Sequence, residues 1–162
     1  STLLLDVKLE EMVELINEKM YELTCGEKFI TLFLGIYNVN DKRLVYVNSG
    51  HVPIPIYDKE GIDWLETGST ILGMFKELPF IELGKVHIED KKQILLYTDG
   101  LLNLNIDHEP FLSNSELSYI LNQDCLGKST SEITGYFQEK TKSIDVEEDL
   151  KDDISILALE LG

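Results

Sequence analysis

Apolar, β-rich runs follow one another too closely in this sequence for helices to connect them. The runs Phe29–Tyr37 and Leu44–Asn48 are separated only by the turn cluster Asn38–Lys42. Neighbouring parallel strands need a crossover of about a dozen residues or more, so these two runs are predicted to form a hairpin. The runs Ile54–Tyr57 and Ile62–Leu65 are predicted to form another hairpin. A mainly antiparallel sheet follows.

Three further runs complete the predicted strands. Val86–Ile88 and Gln93–Thr98 are joined by a polar turn at Glu89–Lys92, and Ile154–Leu161 closes the chain. The continuous apolar character of Phe29–Tyr37 predicts a strand that is buried on both faces.

Helices are predicted at three places. An N-terminal helix ends near Gly26 and carries one apolar stripe, formed by Leu9, Met12, Val13, Ile16, Met20 and Leu23. Two later helices open with capping boxes, Ser113 with Glu116 and Ser129 with Glu132. Residues 1–162 are therefore expected to form a single α+β domain, a mainly antiparallel sheet with helices packed on it.

The charge of the chain narrows the classes of partner. Lys and Arg number 14 and Asp and Glu number 30, which gives a net charge of −16. This charge argues against binding nucleic acid or an anionic membrane surface. No apolar run is long enough to span a bilayer. Cys25 and Cys125 have neither disulfide-framework nor metal-ligand spacing, so reduced thiols in a cytoplasmic protein are expected.

The N-terminus gives two further expectations. It has neither an initiator Met nor the features of a signal peptide, so the chain is expected to be a piece of a longer polypeptide. The intact protein could then be a membrane-tethered sensor.

Acidic residues stand at the ends of two predicted strands. Asp99 follows one strand and precedes Gly100, and Asp152 and Asp153 precede the last strand. Carboxylates fixed at strand ends suit an oxygen-ligand site for Mg²⁺ or Mn²⁺. An ordinary Asp-Gly turn and a solvated acidic loop over Asp145–Asp153 remain the alternatives. The three histidines have no zinc-like spacing, and His51 is expected in a loop.

Five segments in order give the sequence a specific resemblance. They are Phe29–Phe33, Tyr46–Pro53, Ile71–Gly73, Leu95–Gly100 and Asp152–Ser155. From about Phe29 to Leu161, the chain resembles the SpoIIE/RsbU-like branch of the metal-dependent PPM serine/threonine protein phosphatases. The Asn-x-Gly-His-x-Pro and Tyr-Thr-Asp-Gly segments are fairly specific as an ordered pair.

The resemblance implies a fold and an activity. The fold is a β-sandwich of two antiparallel sheets with helices outside, and two Mn²⁺ or Mg²⁺ ions lie at one end of it. A water between the ions attacks the phosphorus of phosphoserine or phosphothreonine. The implied partner is a phosphorylated STAS-type anti-anti-sigma protein, in a pathway that regulates a sigma factor.

The resemblance also implies roles for seven residues. Asp99 and Asp152 match metal ligands, Gly100 is the partner of Asp99 in its turn, and Asp153 is the fallback ligand. Asn48, Gly50 and His51 match a segment that shapes the sheet core near the site, without a catalytic role.

Departures from the family pattern leave alternatives open. Ile71 stands where Pro is usual, Glu89–Lys92 replaces a Gly-Asp turn, and the first metal motif, Gly-Asp-Val-x-Gly-His-Gly, is absent. Leu5–Leu9 contains Asp-Val without the glycines and histidine and is rejected as a substitute.

These departures predict that the fold is incomplete at its N-terminus and that the fragment alone has little or no activity. Unpaired sheet edges would then favour a homodimer. A non-catalytic, partner-binding module is the alternative function. A domain with structural Ca²⁺ is a weaker third hypothesis, because EF-hand spacing is absent.

Overall fold

The structure is a computed structural model that describes residues 2–102, 105–106, 109–110, 112–142 and 153–162. Its chain divides into two compact units. The first unit comprises Ser1–Pro53, Leu65–Asp90 and Gly162, and the second comprises Ile54–Trp64 and Lys91–Leu161. The units are described separately below.

A four-stranded mixed sheet and one long helix form the first unit. The elements are α1 (Thr2–Thr24), β1 (Leu32–Asn38), β2 (Arg43–Ser49), β5 (Gly68–Ser69) and β6 (Gly84–His87). Strand β2 pairs antiparallel with β1 and β6 and parallel with β5. The β1–β2 ladder runs from Leu32 opposite Ser49 to Asn38 opposite Arg43, which confirms the first predicted hairpin.

The core of the first unit lies between α1 and the sheet. Its fully buried residues are Leu9, Val13, Val45, Val47 and Leu72. The predicted stripe on α1 is too wide, because Met12 is 45% exposed and Leu23 is 80% exposed. A helix that packs on one side of a sheet buries only the residues that face it, and the buried polar residues Asp6 and Asn17 occupy part of that face.

Strand β1 does not have the predicted burial on both faces. Every residue of β1 is partly or fully exposed, and in the described sheet β1 pairs only with β2. The apolar composition of this strand indicates strand formation but not its place in the sheet. An edge strand lacks a neighbour on one side, so its side chains are less covered.

The second unit contains a four-stranded sheet with the order β10-β7-β3-β4. Its strands are β3 (Ile54–Asp58), β4 (Gly61–Leu65, whose last residue belongs to the first unit), β7 (Lys92–Tyr97) and β10 (Ile156–Leu161). A two-stranded ladder joins β8 (Asn105–Ile106) to β9 (Glu109–Pro110). Strands β3 and β4 are neighbours, which confirms the second hairpin.

Two helices of the second unit begin at the predicted capping boxes. Helix α2 (Asn114–Ile120) continues into a π-helical turn, Leu121–Cys125, and α3 spans Thr130–Lys142. The Ser113 amide donates to the Glu116 carboxylate at 2.7 Å, and the Ser129 amide donates to the Glu132 carboxylate at 2.9 Å. These hydrogen bonds and those from the serine hydroxyls lower the pKa of both glutamates. The capping pattern therefore identified both helix starts correctly.

The turn at Glu89–Lys92 connects two different sheets. Strand β6 pairs with β2, whereas β7 pairs with β3 and β10. The short connection therefore does not produce a pair of neighbouring strands. The α+β class is confirmed, and none of the described helices is long and apolar enough to cross a membrane.

Candidate metal centre

The C-terminal end of β7 and the N-terminal end of β10 are neighbours. The two strands pair antiparallel, with Tyr97 opposite Ile156 at one end of the ladder. In an antiparallel pair, the residues that follow one strand lie beside those that precede the other. The segments that carry Asp99 and Asp153 therefore meet at this end of the sheet.

Thr98 fastens these two segments with three hydrogen bonds. Its amide donates to the Ser155 carbonyl at 3.0 Å, and its hydroxyl donates to the Asp153 carbonyl at 2.9 Å. The Ser155 amide donates back to the same hydroxyl at 2.9 Å. The pairing of the strands thus extends beyond the ladder to the residues next to Asp99 and Asp153.

Asp99 begins a 3₁₀ turn that is anchored by buried residues. The turn spans Asp99–Leu101, and the Leu102 amide donates to the Asp99 carbonyl at 2.9 Å. Gly100 and Leu101 are buried, whereas Asp99 and Asp153 are exposed. The backbone of Asp99 is therefore held in place while the residue itself reaches solvent.

The described carboxylates are the right type of ligand for a hard divalent cation, but they are too few to hold one. Carboxylates are ligands that Mg²⁺ and Mn²⁺ prefer, and Asp99 and Asp153 provide them at adjoining strand ends. Within the described ranges, no three Asp, Glu, His or Cys side chains are grouped to hold a metal ion. Asp152, the other predicted ligand, lies outside the described residues.

Asn48 is a buried residue near the end of β2, and its side chain makes three hydrogen bonds. Its side-chain amide donates to the carbonyls of Val52, at 3.2 Å, and Leu65, at 3.1 Å. Its side-chain oxygen accepts from the His51 amide at 2.8 Å. One side chain therefore fixes the loop after β2 and joins it to the end of β4.

Gly50 and His51 lie in that loop. Gly50 has a φ of +68°, and a Cβ there would come within 2.4 Å of the Ile71 side chain, so only glycine fits without a shift. His51 Nδ1 lies 3.1 Å from the Val52 carbonyl. Asn48, Gly50 and His51 belong to the first unit, whereas Asp99 and Asp153 belong to the second. A role of the three residues near a metal stays a prediction.

Asp6 forms ion pairs with two basic residues. Its carboxylate lies 3.0 Å from the Arg43 guanidinium and 2.6 Å from the Lys85 ammonium. These ion pairs agree with the rejection of Leu5–Leu9 as a substitute for the first metal motif.

Sequence reasoning missed three residues that fix local structure, namely the polar residues Asn17 and Thr98 and the glycine Gly68. Asn17 is a polar residue within an apolar helix stripe, and this exception in the pattern could have indicated that its side chain has a structural role. Thr98 lies between a strand and Asp99, where its hydroxyl had no evident role. A Cβ on Gly68 would lie 1.9 Å from the Asn48 carbonyl, a contact that only the β2–β5 pairing creates.

The whole sequence matches one protein family. The family described as Stage II sporulation protein E (SpoIIE) matches residues 1–162, a longer range than the predicted Phe29–Leu161. Protein IcfG of Synechocystis sp. is 27% identical over 119 residues, which is 73% of this chain and 17% of IcfG. Phosphoserine phosphatase RsbU of Bacillus subtilis is 20% identical over 151 residues, which is 92% of this chain and 44% of RsbU.

Solved structures share the fold. The SiaA-PP2C domain of Pseudomonas aeruginosa superposes with a TM-score of 0.75 at 17% identity and covers 90% of this chain. The manganese-presoaked phosphatase domain of SpoIIE from Bacillus subtilis has a TM-score of 0.62 at 16% identity and covers 94% of this chain. The chain spans 58% and 65% of these two structures and less than half of IcfG or RsbU.

Proposed function

This chain belongs to the SpoIIE family, and we propose that it forms the C-terminal, metal-ligating part of a serine/threonine protein phosphatase domain. The observation that carries the proposal is the junction of β7 and β10, where Thr98 joins the segments that bear Asp99 and Asp153. The relative named phosphoserine phosphatase RsbU supports the reaction class. The solved SpoIIE phosphatase domain was presoaked with manganese and RsbX was crystallised in complex with magnesium, which supports Mn²⁺ or Mg²⁺ as the cofactor.

The proposed role of this chain is to position carboxylate oxygens. Asp99 and Asp152 are the proposed ligands, Gly100 forms the turn of Asp99, and Asp153 is the fallback ligand for Asp152. A bound divalent cation supplies a water of lowered pKa and neutralises phosphate charge. The Gly-Asp-Val-x-Gly-His-Gly motif, whose Asp the resemblance implies as a further ligand, is not among these 162 residues. We therefore propose that this chain alone has little or no activity.

The proposed substrate is a phosphoserine or phosphothreonine on a STAS-type anti-anti-sigma protein. The resemblance to the RsbU-like branch supports this substrate, and the chain's charge of −16 is unsuited to nucleic acid. We propose a cytoplasmic location, where such a partner would be found.

The test measures Mn²⁺-dependent release of phosphate from a phosphorylated STAS-type protein. It compares this chain with an N-terminally extended form that carries the Gly-Asp-Val-x-Gly-His-Gly motif. Asp99→Asn in the active form should lower kcat by at least about a hundredfold, because an amide replaces a charged metal ligand. Asp63→Asn, an exposed site on β4, is the matched control and should retain activity. Activity that survives Asp99→Asn would refute the assigned ligand.

The second candidate is a non-catalytic module that binds the same partner without turnover. The observation that favours it is the turn at Glu89–Lys92, which replaces the Gly-Asp turn of the family pattern. Binding of the phosphorylated partner, without phosphate release by any extended form, would support this function instead.

A further inference from the structure

A groove of about 1010 Å³ runs along the outer side of α1. One wall is a stripe of α1 that includes Glu11, Glu14, Glu18 and Glu22, and the other is the segment 76–78. All of the lining belongs to the first unit. The proposed phosphatase chemistry does not use this surface.

The two walls of the groove are fixed to each other by Asn17. Its side-chain amide donates to the carbonyls of Phe75 at 3.0 Å and Lys76 at 3.3 Å. Its oxygen accepts from the Gly73 amide at 2.9 Å. Asn17 is only 2% exposed, and its hydrogen bond with Gly73 is buried, whereas those to Phe75 and Lys76 are partly buried. The groove is therefore already formed before any partner arrives, which lowers the entropic cost of binding.

The walls carry a strong excess of negative charge. Five glutamates line the groove, whereas Lys76 is the one basic residue in the described lining. Glu22 pairs with the exposed Lys19 at 2.7 Å. Among the described residues, no salt bridge at contact distance involves the other four, Glu11, Glu14, Glu18 and Glu77; of these, Glu18 also interacts electrostatically with Lys19.

Apolar groups lie between these carboxylates. Leu15 is 54% exposed within the groove, and Tyr21 and Leu78 also line it. These three residues form an apolar strip that is bordered by negative charge. Such a strip is complementary to an amphipathic segment whose apolar face is bordered by positive charge.

We propose that this groove binds a basic amphipathic helix of a partner protein. Glu11, Glu14, Glu18 and Glu22 follow the spacing i, i+3, i+7, i+11, which extends over roughly 16 Å of helix. A helix lying alongside can present Lys or Arg at the same spacing, with leucine-like residues facing Leu15. A second copy of this chain would bring the same carboxylates and another net charge of −16, so charge repulsion disfavours it and the proposed occupant is a partner that carries basic charge.

The experiment titrates the full chain into a labelled synthetic helix with a leucine stripe bordered by lysines, followed by fluorescence anisotropy. A scrambled peptide of the same composition tests the need for the stripe. The amphipathic peptide should bind at least about tenfold more tightly than the scrambled one, since only it matches the apolar strip. Its affinity should fall between about 50 and 300 mM NaCl, since exposed charge pairs are screened.

Charge-matched variants locate the binding surface. The double variant Glu14→Lys with Glu18→Lys should weaken binding at least about tenfold, because attraction becomes repulsion. Glu66→Lys with Glu82→Lys makes the same change in net charge at exposed sites outside the groove and should weaken it less than about twofold. Leu15→Ala should weaken binding at both salt concentrations.

Three outcomes would overturn the proposal. Equal weakening by the two charge-reversal pairs would indicate attraction to the overall charge. Equal binding of the scrambled peptide would exclude an amphipathic ligand. Self-association that Leu15→Ala abolishes in sedimentation would identify a second copy as the occupant.

Discussion

At the scale of single residues, buried amides join segments of the chain that are distant in sequence. Asn48 makes three side-chain hydrogen bonds around the end of β2, and Asn17 makes three between α1 and the segment 73–76. Both asparagines are nearly inaccessible to solvent. Removing either would leave buried backbone groups without partners, which costs more than the loss of a hydrogen bond at the surface.

Asn48→Ala should lower the free energy of unfolding by about 2 to 4 kcal/mol, since each buried group left unsatisfied costs roughly 1 to 3 kcal/mol. The measurement is urea denaturation followed by circular dichroism. Asn40→Ala, at an exposed turn position, is the control and should change stability by less than about 0.5 kcal/mol. Equal losses of unfolding free energy in the two variants would contradict the stabilising role of the Asn48 hydrogen bonds.

At the scale of elements, the β7–β10 pair brings together the two segments that form the candidate metal centre. Thr98 extends the pairing of these strands to the residues beside Asp99 and Asp153. Substitution of Thr98 therefore tests whether the positions of these two residues depend on the junction.

Thr98→Val removes the hydroxyl but keeps the branched shape that favours strands. We expect a loss of about 0.5 to 1.5 kcal/mol in stability, because the hydroxyl's hydrogen bonds to the Ser155 amide and the Asp153 carbonyl are replaced by hydrogen bonds to water. We also expect faster hydrogen exchange at the Ser155 amide. Thr98→Ser retains the hydroxyl and should restore slow exchange. Unchanged exchange in Thr98→Val would show that the hydroxyl does not hold the junction.

A second element-scale contact links β3 to β7 through Asp58 and Lys92. Their charged groups lie 2.5 Å apart, with side chains 14% and 19% exposed. The hydrogen bond from Lys92 lowers the pKa of Asp58. Because the folded pKa lies below the unfolded value, the contribution of Asp58 is present above the unfolded pKa and is lost as the pH falls through the folded pKa.

Asp58→Asn should therefore cost about 1 to 2 kcal/mol at neutral pH, since it removes a charge-assisted hydrogen bond. The asparagine side-chain oxygen can still accept from the Glu60 amide, as Asp58 does at 2.7 Å. The difference from the unsubstituted protein should shrink as the pH falls below the unfolded pKa of about 3.9. Urea denaturation across this range is the measurement, and a difference that does not depend on pH would contradict it.

At the scale of the whole molecule, the net charge of −16 affects stability and association. Charges of one sign repel one another more strongly in the compact state than in the unfolded chain. Association of two copies through sheet edges such as β1 stays a prediction, and it involves a different surface from the groove on α1. A monomer in light scattering at high protein concentration would contradict it.

Raising NaCl from about 10 to 150 mM should increase the thermal midpoint by a few degrees, since the screening length falls from roughly 30 to 8 Å. Differential scanning calorimetry measures this shift. KCl should give the same increase if screening is the cause. A thermal midpoint that stays constant or falls would show that repulsion among the negative charges does not significantly destabilise the folded state.

The sequence by itself determined the three α-helices and the longer strands, because these signals are local, but not the two-residue strands β5, β8 and β9. The short turn at Asn38–Lys42 required a hairpin, and the pairs Ser113 with Glu116 and Ser129 with Glu132 marked two helix starts. Asp99, Asp152 and, as the fallback, Asp153 were predicted as metal ligands from their positions beside strands and from the family resemblance. Their ligand roles stay predictions, and the ladder register accounts only for the neighbouring segments of Asp99 and Asp153.

Only the tertiary structure decided which surfaces are covered and which polar groups meet. It placed β1 at a sheet edge, assigned β6 and β7 to different sheets, and left Met12 and Leu23 of α1 exposed. It also gave Asn17 and Thr98 their partners at positions 73–76 and 153–155. These features depend on contacts between residues far apart in the chain, where periodicity and turn chemistry carry no information.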